Sequence, residues 1–161
     1  MSEKKFNKKV LASNKKAFSD YQILDKIEAG ICLNGYEVKS LRSSRAGLSD
    51  NLVRFIKGEA FIENMFIGPY ENISTHILDY NAKRKRKLLL HKQEINKLSQ
   101  KVKEKGLTLI ALEVYLCQKG LVKILLGLAK GKHSYDKRED LKRKDLNREI
   151  ARQTNIRHYR G

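Results

Sequence analysis

The sequence contains no tryptophan, one proline (Pro69) and two cysteines, Cys32 and Cys117, far apart and each inside an apolar run. A single proline excludes a proline-rich linker. Two lone cysteines without neighbouring histidines offer neither a disulfide framework nor zinc-ligand spacing, and read as buried free thiols in a reducing cytoplasm. No stretch provides the roughly 18 consecutive apolar residues that a membrane-spanning helix needs. The first residues, Met1-Ser-Glu-Lys-Lys-Phe6, carry no apolar signal-peptide core. Acids are also scarce, 18 Asp and Glu against 35 Lys and Arg, for a formal net charge of +17 in 161 residues. Such an imbalance points to a polyanionic partner, nucleic acid first and an anionic membrane surface second. Together these features describe one soluble, basic, cytoplasmic domain with a modest core.

Catalytic signatures are missing as well. The chain has no phosphate-binding Gly-Lys-Ser/Thr loop, no His-Glu-x-x-His, no Gly-x-Ser-x-Gly and no dinucleotide fingerprint. His76, His91, His133 and His158 are scattered among cations, without a carboxylate to orient an imidazole. Asp20, Asp25, Glu28 and Glu37 read as partners of local Lys and Arg more readily than as a metal site. No enzyme, metal or cofactor is expected.

What is present is a succession of short strands. Residues 1–16 read as a mobile basic leader. Tyr21 to Leu33 suits a long strand in which Ala29-Gly30 permits a bend or bulge. Asn34-Gly35 is a turn signal, and a short helix follows. Leu52–Ile56 and Ala60–Phe66 form a hairpin across Lys57-Gly58-Glu59, and residues 70–82 read as a surface loop. The basic run Lys83-Arg-Lys-Arg-Lys87 leads directly into Leu88-Leu-Leu90, a charged edge fixed to the core that can serve as a phosphate platform. Ile95, Leu98 and Val102 share one helical face, with Gly106 as the C-terminal cap. A second hairpin joins Leu107–Cys117 to Leu121–Ala129. Strands dominate and no βαβ alternation appears, so the expected fold is mainly β. It is a small antiparallel OB-like barrel of about six strands with about three helices, over residues 17–131.

Residues 132–161 form a basic C-terminal tail with few apolar anchors, expected to be disordered or partly helical when free. Glu139 with Arg143 and Asp140 with Lys144 give i,i+4 support to a helix. The plainer reading is a solvated helix with a frayed end. Tyr21, Tyr135 and Tyr159 lie in or beside basic segments, where a ring can stack on an unpaired base while cations neutralise phosphate. For Tyr21, a half-buried place in a strand fits the sequence as well. From charge alone, Glu28 reads as one half of a salt bridge.

Several motifs then agree. Glu28-Ala-Gly30, Gly35-x-Glu-Val-Lys-Ser-Leu-Arg42, Arg86-Lys-Leu-Leu-Leu90, Lys105-Gly-Leu-Thr108 and Ala129-Lys-Gly-Lys132 followed by Tyr135-Asp-Lys-Arg-Glu139 occur in order and spacing. Over residues 14–152 the chain resembles the SsrA-binding proteins, the bacterial partners of transfer-messenger RNA. The resemblance implies an adaptor for trans-translation, the rescue of stalled ribosomes, whose barrel grips the tRNA-like domain of that RNA. Asn14, Tyr21, Glu28 and Leu89 match the RNA-contacting positions, which turns the reading of Glu28 from salt bridge to RNA contact. Arg84, Arg86 and Lys87 of the basic run join them as candidate RNA ligands. In such proteins the tail becomes helical in the vacant mRNA channel of the small ribosomal subunit. Gly131 and Lys132 then mark the junction, Tyr135 a stacking aromatic at the decoding centre, and Asp136-Lys137-Arg138 the triplet tied to A-site admission. Arg143, Lys144, Arg148, Arg152, Arg157 and Arg160 would supply phosphate contacts. Further implied partners are the aminoacylated RNA and its elongation factor, indirectly; a membrane is not among them, and the chain is expected to be a monomer. Asn81-Ala82 departs from the Asp-Pro common before the basic run. The alternative is a general structured-RNA-binding or ribosome-associated OB-fold protein.

Overall fold

A computed structural model describes residues 8–70, 80–132 and 134–159, with side chains of the last segment described from 138 to 154. Seven strands form one sheet in the order β1-β8-β9-β2-β7-β5-β4, every pairing antiparallel. They are β1 (Lys9–Ser13), β2 (Tyr21–Ile31), β4 (Leu52–Ile56), β5 (Glu59–Glu63), β7 (Arg86–Leu89), β8 (Thr108–Leu116) and β9 (Val122–Gly131). A separate two-stranded ribbon pairs β3 (Ala46–Gly47) with β6 (Phe66–Ile67). The sheet curls until β4 packs near β8 without a hydrogen-bonded ladder between them, an OB-like barrel left open at that seam. Its inside holds Leu41, Val53, Ile62, Met65, Leu88, Leu109, Val114, Ile124 and Leu126, all almost fully buried.

Four helices accompany the strands: α1 (Lys15–Asp20), α2 (Gly35–Arg42), α3 (Lys92–Lys105) and α4 (Ser134–Tyr159). α3 rises as the apolar spacing predicts, burying Ile95 and Leu98 and ending at Gly106, whose φ of 59° is the left-handed cap conformation. The first hairpin closes more tightly than expected. Lys57 and Gly58 have φ of 49° and 77°, so two residues make the turn and Glu59 already belongs to β5. Positive φ at both central positions matches the right-handed strand twist.

Three expectations need correction. Residues 9–16 are not a leader: Lys9–Ser13 pair with β8, and Lys15–Asp20 are helical. This strand, with Leu11 buried beneath it, is the seventh of the sheet. The irregularity in β2 falls at Leu24, between Ile23 and Asp25, and not at Ala29-Gly30. Cys32 is exposed and Cys117 half-buried, because each sits where a strand has run out. No described helix is long and apolar enough to cross a membrane. Residues 71–79 of the expected loop, along with His76 and His133, lie outside the described residues.

β8 is buried on both faces, and the outer face explains α1. There Ile110, Leu112 and Ala129 pack with Ala17 of α1, and Tyr21 and Ile23 border the cluster. A register shift in β8 between Ala111 and Glu113 coincides with the fully buried Leu112. A bulge can re-aim a side chain in this way.

Candidate nucleic-acid interface

The basic run is anchored through alternation. In β7 successive residues point in and out, so Arg86 and Leu88 are buried while Lys87 and Leu89 face outward. Buried Arg86 cannot stay unpaired, and its guanidinium reaches Glu37 of α2, with Nε at 3.1 Å and Nη2 at 3.0 Å from Oε1. It also donates to the carbonyls of Met65 at 2.7 Å and Ala82 at 3.1 Å. Arg84 closes on the same carboxylate, Nε to Oε1 at 2.7 Å and Nη2 to Oε2 at 2.8 Å. The Asn34 backbone N–H donates to Oε2 at 3.0 Å, so Glu37 caps its own helix as well. Burial opposes ionisation of Glu37, but the bonds from Arg84, Asn34 and Arg86 outweigh it and hold the carboxyl below its ordinary range.

This corrects the assignment of Arg86 as an RNA ligand: it is fully buried and spends its donors inside the protein. Arg84 is only about one-third exposed and bidentate to Glu37. The outward cations of the run are Lys83, Lys85 and Lys87. Lys85 and Lys87 pair with Glu63 and Glu59, at 3.0 and 2.8 Å, in partly exposed contacts that phosphate can exchange.

Beside this strand lies an open groove of about 530 Å³, lined by Glu28, Lys87, Leu89, His91 and Glu94 among others. Leu89 is half exposed on its rim. Gly30, its register partner on β2, allows this: a Cβ there would stand 3.1 Å from Leu89 Cβ. Glu28 and Leu89, 61 positions apart in sequence, thus share one groove.

Glu28 projects from β2 with its side chain half exposed and both oxygens engaged. Lys123 Nζ donates to Oε1 at 2.6 Å, and the Tyr115 hydroxyl donates to Oε2. The Lys123 bond first, and the Tyr115 bond second, hold the carboxyl below its usual range. Burial and the bond to Glu28 push the Tyr115 phenol well up. Lys8 Nζ lies 4.9 Å from the centre of the Tyr115 ring and pairs with Glu113 at 2.9 Å. The salt bridge read from charge alone is therefore real. Lys8, Tyr115 and Lys123 were not singled out by sequence reasoning; only the cross-strand register carries that signal.

Asn14 and Tyr21 gather elsewhere, around a small hollow shared with Lys16 and Asp50. Asn14 caps α1, its Oδ1 accepting from Ala17 N at 3.2 Å and its Nδ2 donating to Ala111 O at 3.2 Å. Tyr21 is half-buried, combining the strand role with a partly open ring. The four residues thus form two pairs and not one pocket.

At the far end of β9, Gly131 pairs with Tyr21, and the Lys132 backbone N–H donates to Asp20 O at 3.0 Å. Lys132 Nζ bonds Phe18 O at 3.2 Å and the Asp140 carboxylate, pinning the first turns of α4 beside α1. α4 has 26 residues, roughly 39 Å at 1.5 Å per residue. Arg138, Arg143, Lys144, Arg148 and Arg152 are exposed along it, as are Leu141, Leu146 and Ile150. The side chains of Tyr135, Asp136, Lys137, Arg157 and His158, and all of Arg160, lie outside the described residues.

Known proteins resemble this chain. The family model described as SmpB protein matches residues 11–156. The SsrA-binding protein of Enterococcus hirae is 52% identical over 144 residues, 89% of this chain and 92% of its own length. That of Streptococcus sanguinis is 53% identical over 145 residues, 90% and 92% of the two chains. A solved structure described as tmRNA-SmpB in the bacterial ribosome superposes with a TM-score of 0.63 at 48% identity, covering 76% of this chain and 84% of that one.

Proposed function

The chain belongs to the SmpB protein family, and from that premise we propose how its surfaces divide the work. The protein is a tmRNA-binding adaptor of trans-translation that works on the ribosome. The observation that carries this is identity above one half with SsrA-binding proteins across nearly the whole chain.

In our reading the barrel binds the tRNA-like domain. Glu28 and Leu89 meet it in the groove, Asn14 and Tyr21 at the α1 hollow, and Lys87 with its outward neighbours on phosphate. The division is supported by two partly exposed pairs flanking one long strand. The tail then samples the mRNA channel of the small subunit. A helix whose described cations, from Arg138 to Arg152, are exposed suits a channel walled by phosphate, and resident mRNA would exclude it by volume and charge. Gly131 and Lys132 set the tail's departure, and Tyr135 with Asp136, Lys137 and Arg138 meets the decoding centre. The protein performs no chemistry of its own, acts in the cytoplasm as a monomer, and encounters the elongation factor through the aminoacylated RNA.

Reconstituted translation on a message without a stop codon tests this reading. Tagging of the stalled peptide must require both the protein and tmRNA. Tagging that proceeds without the protein contradicts it.

A further inference from the structure

Tyr115 is a group that the proposed function leaves unused. The residue is only 5% exposed, yet its hydroxyl donates to Oε2 of Glu28, which lines the groove. Lys123, which holds the other oxygen at 2.6 Å, is a long, partly exposed side chain. A lysine tether of this kind supplies charge but little direction. The phenol differs, because β8 and its packing fix the ring, and rotation of one O–H is its only freedom. Lys8 Nζ also lies over the ring, 4.9 Å from its centre.

We propose that Tyr115 is a positioning residue for RNA recognition, aiming the Glu28 carboxylate into the groove that it shares with Leu89. The proposal rests on the reading of Glu28 as an RNA contact. An ionised carboxylate is acceptor-only, with about four lone-pair sites on two oxygens. Tyr115 and Lys123 occupy one site on each oxygen, which leaves acceptor capacity on a half-exposed carboxylate that lines the groove. The remaining sites fit the N–H donors on the edge of an unpaired base, and they repel phosphate. Glu28 in a protein of net charge +17 therefore selects a base edge where the surrounding lysines would take any anion. Removing the Tyr115 hydroxyl leaves every charge in place but lets the carboxylate turn toward Lys123.

The test uses the full chain and the isolated tRNA-like domain as probe. Tyr115→Phe is expected to weaken binding about tenfold, the scale of one hydrogen bond to a charged group. The slope of log K against log salt should not change, because no cation is lost. Glu28→Gln should weaken binding at least as much, and the double variant should bind no worse than Glu28→Gln alone. Glu28→Asp leaves the Tyr115 ring untouched and keeps the charge but withdraws it by one methylene, so it reads position even if Tyr115→Phe folds poorly. It too should lose about tenfold. Wild-type binding by Tyr115→Phe or by Glu28→Asp, or losses that multiply in the double variant, overturns the proposal. Wild-type binding by Glu28→Gln removes the underlying RNA contact, and the proposal with it.

Discussion

Glu37 fixes the basic strand in place. It accepts from Arg84, Arg86 and the Asn34 backbone while fully buried, so both guanidinium groups and a helix start converge on one carboxylate. Glu37→Gln leaves Arg86 buried without its counter-charge and should cost about 3–5 kcal/mol of stability, read by urea unfolding. Glu37 is held below its ordinary range, so its contribution is complete above the unfolded value near 4.5. It is lost as pH falls through the lower, folded value. Stability measured from pH 6 downward should therefore drop in the wild type, and Glu37→Gln should flatten that drop. Lys87 gives the opposite signature. Lys87→Ala should leave unfolding unchanged within about 0.5 kcal/mol, weaken RNA binding, and reduce the salt slope by about 0.9 if it neutralises one phosphate. The sequence shows five consecutive cations, but the pleat sorts them. A run of one charge looks like a single surface until the strand period is imposed on it, and the partner that takes Arg86 inward is 49 positions away.

Among the elements, those with local signals were legible and those made by distant pairing were not. α3 carries its own apolar face and its own cap, so its limits follow from spacing; Gly106→Ala should cost about 1 kcal/mol in thermal unfolding, because its φ is positive. β1 has one buried side chain, Leu11, and exists because β8 offers it a free edge, so its basic composition reads as a leader. The groove was half legible. Glu28 and Leu89 could be named through family likeness, but their meeting depends on the β2–β7 register at Gly30 and Leu89. α4 shows helix-supporting pairs in sequence and little to bury, and its exposed Leu141, Leu146 and Ile150 agree. Among the described residues, deleting 140–161 removes no core residue, and it takes away the Lys132–Asp140 tie. The truncated chain should bind the tRNA-like domain within about twofold of the full chain, an expectation from its retained surface. It should fail to support tagging on stalled ribosomes.

At the scale of the whole molecule, +17 charges guarantee that RNA binds, and they do not say which RNA. In the reading proposed above, discrimination comes from groups that act at short range: the Glu28 carboxylate, the Leu89 rim, the Asn14 and Tyr21 hollow. Their placement at two sites along a curved sheet fits a folded RNA better than an extended strand, because a rigid pair of contacts reads shape. The measurement that tests this most directly is competition. Labelled tRNA-like domain bound to the full chain is challenged with ordinary tRNA across a salt series. A preference for the tRNA-like domain should persist, or grow, as salt screens the shared phosphate contacts. Equal competition at low salt, with both RNAs lost together as salt rises, would contradict it and leave charge as the only basis of binding.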